Sequence, residues 1–135
     1  MAAFILDSFA LIAFFRGEKG AAEIEKLLLD ALNEKHHLYI CSYNAGEIYY
    51  AVWRKNGKTL ADECRIKLLQ FPVTIIEADL ELTFEAATIK ATRKLSYADA
   101  HAAALALHLN ATVVTGDKEF ENLKDIKGFK VRYIG

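Results

Sequence analysis

The 135-residue sequence has almost no net charge: 17 Lys and Arg stand against 18 Asp and Glu, a balance of -1. Any surface for a polyanion is therefore confined to a local patch. Cysteine is scarce, with only Cys41 and Cys64, which lack C-x-x-C spacing and fall in a predicted strand end and a predicted helix. Two buried thiols, no disulfide and a reducing, cytoplasmic setting are the expectation. A long hydrophobic run is also missing. The apolar start, Phe4 to Phe15, is interrupted by Asp7, is too short to span a bilayer and has no basic leader, so neither a signal nor a membrane anchor is expected. There is no H-x-E or C-x-x-C zinc spacing, G-x-S-x-G elbow, P-loop or G-x-G-x-x-G, which sets aside acyl transfer, nucleoside triphosphate hydrolysis and dinucleotide binding. The four histidines offer no chelate. His101 and His108 lie two helical turns apart, roughly 10.5 Å, and His36 and His37 stand where the chain enters a predicted strand.

What is present is an ordinary globular composition, 53% hydrophobic and 26% charged, which fits one domain over residues 1–135 without repeats or linkers. Short apolar runs at Ala3–Leu6, His37–Cys41, Val73–Ile76, Ala111–Thr115 and Lys130–Ile134 read as strands. Between them, helices are predicted over Phe9–Phe15 (apolar all round, hence buried, with Ser8 as its cap), Ala21–Glu34, Ser42–Lys55, Thr59–Leu69, Asp79–Lys94 and Tyr97–Leu109, with a short turn or helix at Glu119–Leu123. Strands alternating with helices imply an α/β fold, with a mostly parallel sheet of four to five strands covered on both faces. Two helices, not one, separate the strands at Val73 and Ala111. One of them must cross the end of the sheet.

The stretch Ser96–Phe120 organises the rest. Ser96 caps a helix with Asp99 in its first turn, Asn110 stops it, and small residues (Ala102, Ala103, Ala106) share the face of Asp99 and permit close packing. Asp117 then follows a buried strand, as Asp7 follows the first strand. Ligands bind at such strand ends in open α/β sheets. With Glu47 on the helix after the second strand, four acids converge on one edge. Singly, Glu47 also fits a solvated helix face, Asp99 a first-turn acid and Asp117 a Gly-Asp turn. Together they need a cation or protons, because two carboxylates about 4 Å apart repel by roughly 4 kcal/mol at an effective dielectric of about 20. All-oxygen ligands select Mg²⁺ or Mn²⁺, whose exchangeable waters suit phosphodiester hydrolysis. A receiver-like Mg²⁺-binding signalling module and a catalytically dead binding domain are the readings from other classes.

Four motifs, I-L-D-S at Ile5–Ser8, N-A-G-E at Asn44–Glu47, Y-A-D-A-H-A-A-A-L-A at Tyr97–Ala106 and V-T-G-D-K-E-F at Val114–Phe120, occur in the order and at the separations of a PIN domain, which the chain resembles over nearly its whole length. In size it is similar to the stand-alone VapC-type toxins of prokaryotic toxin-antitoxin pairs. The resemblance implies a three-layer α/β/α fold and an endoribonuclease whose Mg²⁺ or Mn²⁺ is held by Asp7, Glu47, Asp99 and Asp117. It implies supporting roles for Ser8, Asn44 and Thr115, and for Glu119, where many relatives carry Asp. It also implies a homodimer, an antitoxin over the acidic pocket and operator DNA bound through that complex, or, outside a toxin pair, a nuclease of RNA maturation or decay. Arg16, Arg54, Lys55, Lys58 and Lys118 are the candidates for RNA phosphates, and Tyr43 and Tyr50 for stacking on unpaired bases.

Overall fold

A computed structural model describes residues 1–135. Its strands are β1 (Ala3–Leu6), β2 (His37–Cys41), β3 (Thr74–Ile76), β4 (Thr112–Thr115) and β5 (Val131–Tyr133). Its helices are α1 (Ser8–Arg16), α2 (Ala21–Leu32), α3 (Ser42–Asn56), α4 (Lys58–Gln70), α5 (Leu80–Thr92) and α6 (Tyr97–Leu109), with a 3₁₀ turn at Lys118–Leu123. The strands form one all-parallel sheet in the order β3-β2-β1-β4-β5. Receiver-like modules use the order 2-1-3-4-5, so the topology sets that rival reading aside.

Alternation along the strands divides the core between the two faces. Leu6, Leu38, Ile40 and Val114 pack with α1 to α4, whereas Ile5, Cys41 and Val113 pack with α5 and α6. The result is the expected three-layer α/β/α arrangement. Cys41 and Cys64 are buried, free and in different core clusters. The alanines of α6 let it lie close to the sheet, and every residue from Ala98 to Ala106 is buried. The extra helix α5 packs against α6: Tyr97 Oη donates to the Thr83 carbonyl at 3.4 Å, while Glu85 and His108 line one cavity. α6 begins where Asp99 joins Asp117 in one cleft.

Expectations change at helix ends and on α1. α5 stops at Thr92 rather than Lys94, because Arg93 is extended (φ -136°, ψ 150°). α2 stops at Leu32 rather than Glu34, because Glu34 takes a left-handed conformation (φ 59°). α1 is not buried all round, since Phe9 is 47% exposed and Ile12, Phe14 and Phe15 are half-buried. No helix is long and apolar enough to cross a membrane.

Candidate metal centre

The chain leaves β1 and the neighbouring β4 toward opposite directions of the sheet, which opens a crevice at their C-terminal ends. Asp7 follows β1 directly. Its backbone is extended while Ser8 is already helical, so Asp7 rather than Ser8 caps α1, with its Oδ1 accepting the Ala10 N–H at 2.8 Å. After β4, Thr115 Oγ1 accepts the Asp117 N–H at 2.9 Å, and Asp117 Oδ1 accepts the Glu119 N–H at 2.9 Å, which starts the 3₁₀ turn. Ser96 caps α6 as expected, accepting the Asp99 N–H at 3.1 Å. Each of these acids thus stands at a helix start, where the unpaired N–H groups favour an anion.

Ser8, freed from capping, belongs to a buried brace. Asn44 Nδ2 donates to Ser8 Oγ and to the Ala98 carbonyl, both at 3.1 Å, and Ser8 Oγ donates to the Asn44 carbonyl at 3.3 Å. The brace ties α1, α3 and α6 together beside Asp7, Glu47 and Asp99. Above it lies an open cleft of about 320 Å³ lined by Ser8, Phe9 and Ile12 from α1, Glu47, Tyr50 and Ala51 from α3, and Ser96, Asp99 and Asp117. Asp7 is fully buried next to this lining.

Burial dominates the electrostatics. Desolvation pushes the Asp7 carboxyl up to about 7, with the Asp117 and Glu47 charges adding to the rise, and the Thr115 hydroxyl and the Ala10 N–H opposing it. Asp99 is also raised well above the usual carboxylate range, first by burial and then by the neighbouring Asp7 and Asp117 carboxylates. Asp7 Oδ2 and Asp99 Oδ2 are buried without a hydrogen-bond partner. A buried oxygen left unpaired costs free energy that a cation can offset. Carboxylate oxygens of Asp99, Asp117 and Glu119 lie within 4.8 Å of one another, so the residues present fit a hard divalent ion.

The structure brings Glu47, Asp99 and Asp117 to one cleft with Asp7 beside it, and it groups Glu119, rather than Glu47, most closely with Asp99 and Asp117. Glu47 is half-buried and accepts from Tyr50 Oη at 3.4 Å. None of the five candidate cations lines the cleft. Arg16 binds the Ala51 carbonyl at 3.2 Å and Asn56 Oδ1 at 3.0 Å, and Arg54 lies over the Tyr50 ring at 5.1 Å, so both stand at its rim. Lys55 is exposed. Lys58 pairs with Asp62 at 2.8 Å and covers Trp53, and Lys118 covers Tyr133. Of the two tyrosines, Tyr50 lines the cleft, whereas Tyr43 stacks on the buried His101 at 4.2 Å. Phe9 and Ile12 were missed because their neighbours in sequence are apolar. Their only signal was closeness to Asp7.

The PIN domain model matches residues 4–126. No curated protein matches the sequence. Among solved structures, the fold is similar to VapBC2 from Rickettsia felis, bound to a DNA fragment from their promoter, at 19% identity over 98% of this chain and 99% of that one, with a TM-score of 0.73. It is similar to VapC20 from Mycobacterium tuberculosis, a sarcin-ricin loop cleaving toxin, at 15% identity over 90% and 95% of the two chains, with a TM-score of 0.74. DNA-bound VapBC from Salmonella typhimurium gives 19% identity over 98% of each chain and a TM-score of 0.70. At these identities the likeness is one of fold. The family is carried by the match along the sequence itself, and on it this chain belongs to the PIN-domain family.

Proposed function

We propose that this protein is a divalent-metal-dependent endoribonuclease and the toxin of a VapBC-type toxin-antitoxin pair. The observation that carries the reading is the pair of unpartnered buried oxygens, Asp7 Oδ2 and Asp99 Oδ2, beside the carboxylates of Asp117 and Glu119. These acids, with Glu47 across the cleft, would hold Mg²⁺ or Mn²⁺. When bound, the ion supplies Lewis acidity toward a phosphoryl oxygen and lowers the pKa of an attacking water. Glu47, half-buried on the cleft wall, is placed to serve as a proton acceptor for an attacking water. Thr115 and Ser96 fix Asp117 and Asp99 through their backbone N–H groups, and the Asn44–Ser8 brace holds α1, α3 and α6 in place. Arg16 and Arg54 at the rim, with Lys55, Lys58 and Lys118 farther out, meet RNA phosphates.

The toxin assignment draws on the similarity of fold to VapBC2 and VapBC. Under it the chain forms a homodimer in the cytoplasm, a small antitoxin covers the cleft, and the complex binds operator DNA through the antitoxin. The test is cleavage of a mixed structured RNA substrate by the purified chain with Mn²⁺ or Mg²⁺, with EDTA, and with Asp7→Asn. Cutting that needs both metal and Asp7 is the expected result; no cutting by folded, partner-free protein refutes the nuclease reading.

A further inference from the structure

Phe9 is 47% exposed although the residues that follow it in α1, Ala10 and Leu11, are fully buried. Its ring is nonetheless seated. A Cβ built at Gly116 would overlap three carbons of the Phe9 ring, so that ring lies directly against the backbone between Thr115 and Asp117. One aromatic ring is therefore fixed on the turn that presents an acid of the metal centre, and much of its surface stays open to the cleft. From α3, Tyr50, 48% exposed, lines the same cleft and carries the Arg54 guanidinium 5.1 Å from its ring centroid. Single exposed apolar residues are ordinary. Two aromatic rings in one acidic cleft, one of them made possible by a glycine in the acid-bearing turn, have the composition of a base-stacking site.

Resting on the nuclease reading above, we propose that Phe9 and Tyr50 stack the bases on either side of the scissile phosphate and so fix its register over the acids. A paired base has both faces covered inside a duplex, whereas a loop base can be splayed onto an aromatic side chain. Stacking on Phe9 sets the adjoining phosphate over Asp99 and Asp117, and Arg54 beside Tyr50 neutralises the next one. Both aromatics are positioning residues. They touch the base and take no part in the proton transfers.

The experiment compares wild type, Phe9→Leu, Tyr50→Leu and the inactive reference Asp7→Asn on a single-stranded oligoribonucleotide offered intact and with an abasic nucleotide on either side of the cut. Leucine fills the seat on Gly116 without a π face, so Phe9→Leu keeps the wild-type melting temperature. The expected result for Phe9→Leu is a KM raised about tenfold, more than kcat is lowered. The abasic substitution at the stacked position should cost wild type about tenfold and Phe9→Leu nothing. A wild-type KM in Phe9→Leu, or an abasic penalty of equal size in both proteins, overturns the proposal. If no protein cleaves, the nuclease reading has failed separately. Stacking is then read from quenching of 2-aminopurine in the same oligoribonucleotide with Mn²⁺. Quenching by wild type that is lost in Phe9→Leu supports the site, and no quenching by wild type overturns it.

Discussion

Asn44 on α3 and Ser8 on α1 exchange hydrogen bonds in both directions, Asn44 Nδ2 donating to Ser8 Oγ at 3.1 Å and Ser8 Oγ donating to the Asn44 carbonyl at 3.3 Å. The same Asn44 nitrogen reaches the Ala98 carbonyl in α6. Every partner lies within three residues of an acid of the metal centre, so one buried amide sets the spacing of three carboxylate-bearing helices. Asn44→Ala removes both donors and leaves the Ser8 hydroxyl and the Ala98 carbonyl short of partners in the core. A loss of about 2–4 kcal/mol is expected. Urea unfolding measures it, and a change below about 0.5 kcal/mol would show that the brace carries little of the fold.

Without a metal, the acids should make the protein less stable as pH rises. Burial holds the Asp7 carboxyl at about 7, above its value of 3.8 in the unfolded chain, and raises Asp99 as well. Between those limits the folded state keeps protons that the unfolded state releases, so stability falls with pH and levels off above the folded values. The stabilising share of Asp7 is fully present below about 4 and is lost as pH passes about 7. The salt-bridged Asp30, Asp62 and Asp125, lowered by Lys26, Lys58 and Arg93, act in the opposite sense but only near and below pH 4. Melting in EDTA from pH 5 to 9 should show the decline in wild type and a flatter curve in Asp7→Asn; identical slopes would sink the account.

A divalent ion should reverse that decline, and the geometry says which acids matter most. Glu119 shares its cluster with Asp99 and Asp117, whereas Glu47 stands on another helix with Tyr50 as its partner. At about 100 times Kd a bound ion stabilises by about 2.7 kcal/mol. Titration with Mn²⁺ followed by melting should therefore show a clear rise at pH 8 for wild type, a larger loss of affinity for Glu119→Gln than for Glu47→Gln, and the largest loss for Asp99→Asn. An order with Glu47 ahead of Glu119 would move the ion toward α3.

The features legible in the sequence are those decided within a few residues. The five strands, the Ser96 cap, the Asn110 stop and the placing of Asp7 and Asp117 after buried strands depend on local composition, and the structure has them as expected. What depends on contacts between distant segments was hidden. Tyr43 and Tyr50 lie seven residues apart on one helix face, yet the rise along the helix brings Tyr43 to His101 and Tyr50 to the cleft. Glu119 joins Asp99 only because Asp117 starts a 3₁₀ turn there. Nothing near Phe9 in sequence announces that a glycine far along the chain will seat its ring.

That last contact can be tested by itself, without RNA or metal. Gly116 has none of the left-handed backbone of Gly17, Gly20 or Gly57, so an alanine there meets no conformational penalty of its own. Its cost is the collision with the Phe9 ring. Gly116→Ala should destabilise by about 1–3 kcal/mol, the usual range for forcing an extra carbon into a filled contact. Phe9→Ala, which empties a half-exposed position, should cost less. The two effects should not add: with the ring gone, the Gly116 methyl has space, and the double variant should recover most of the loss caused by Gly116→Ala. Urea unfolding of the four proteins gives the coupling directly. Additive losses would mean that Phe9 is not held by Gly116, and the aromatic side of the cleft would then have no fixed position from which to stack a base.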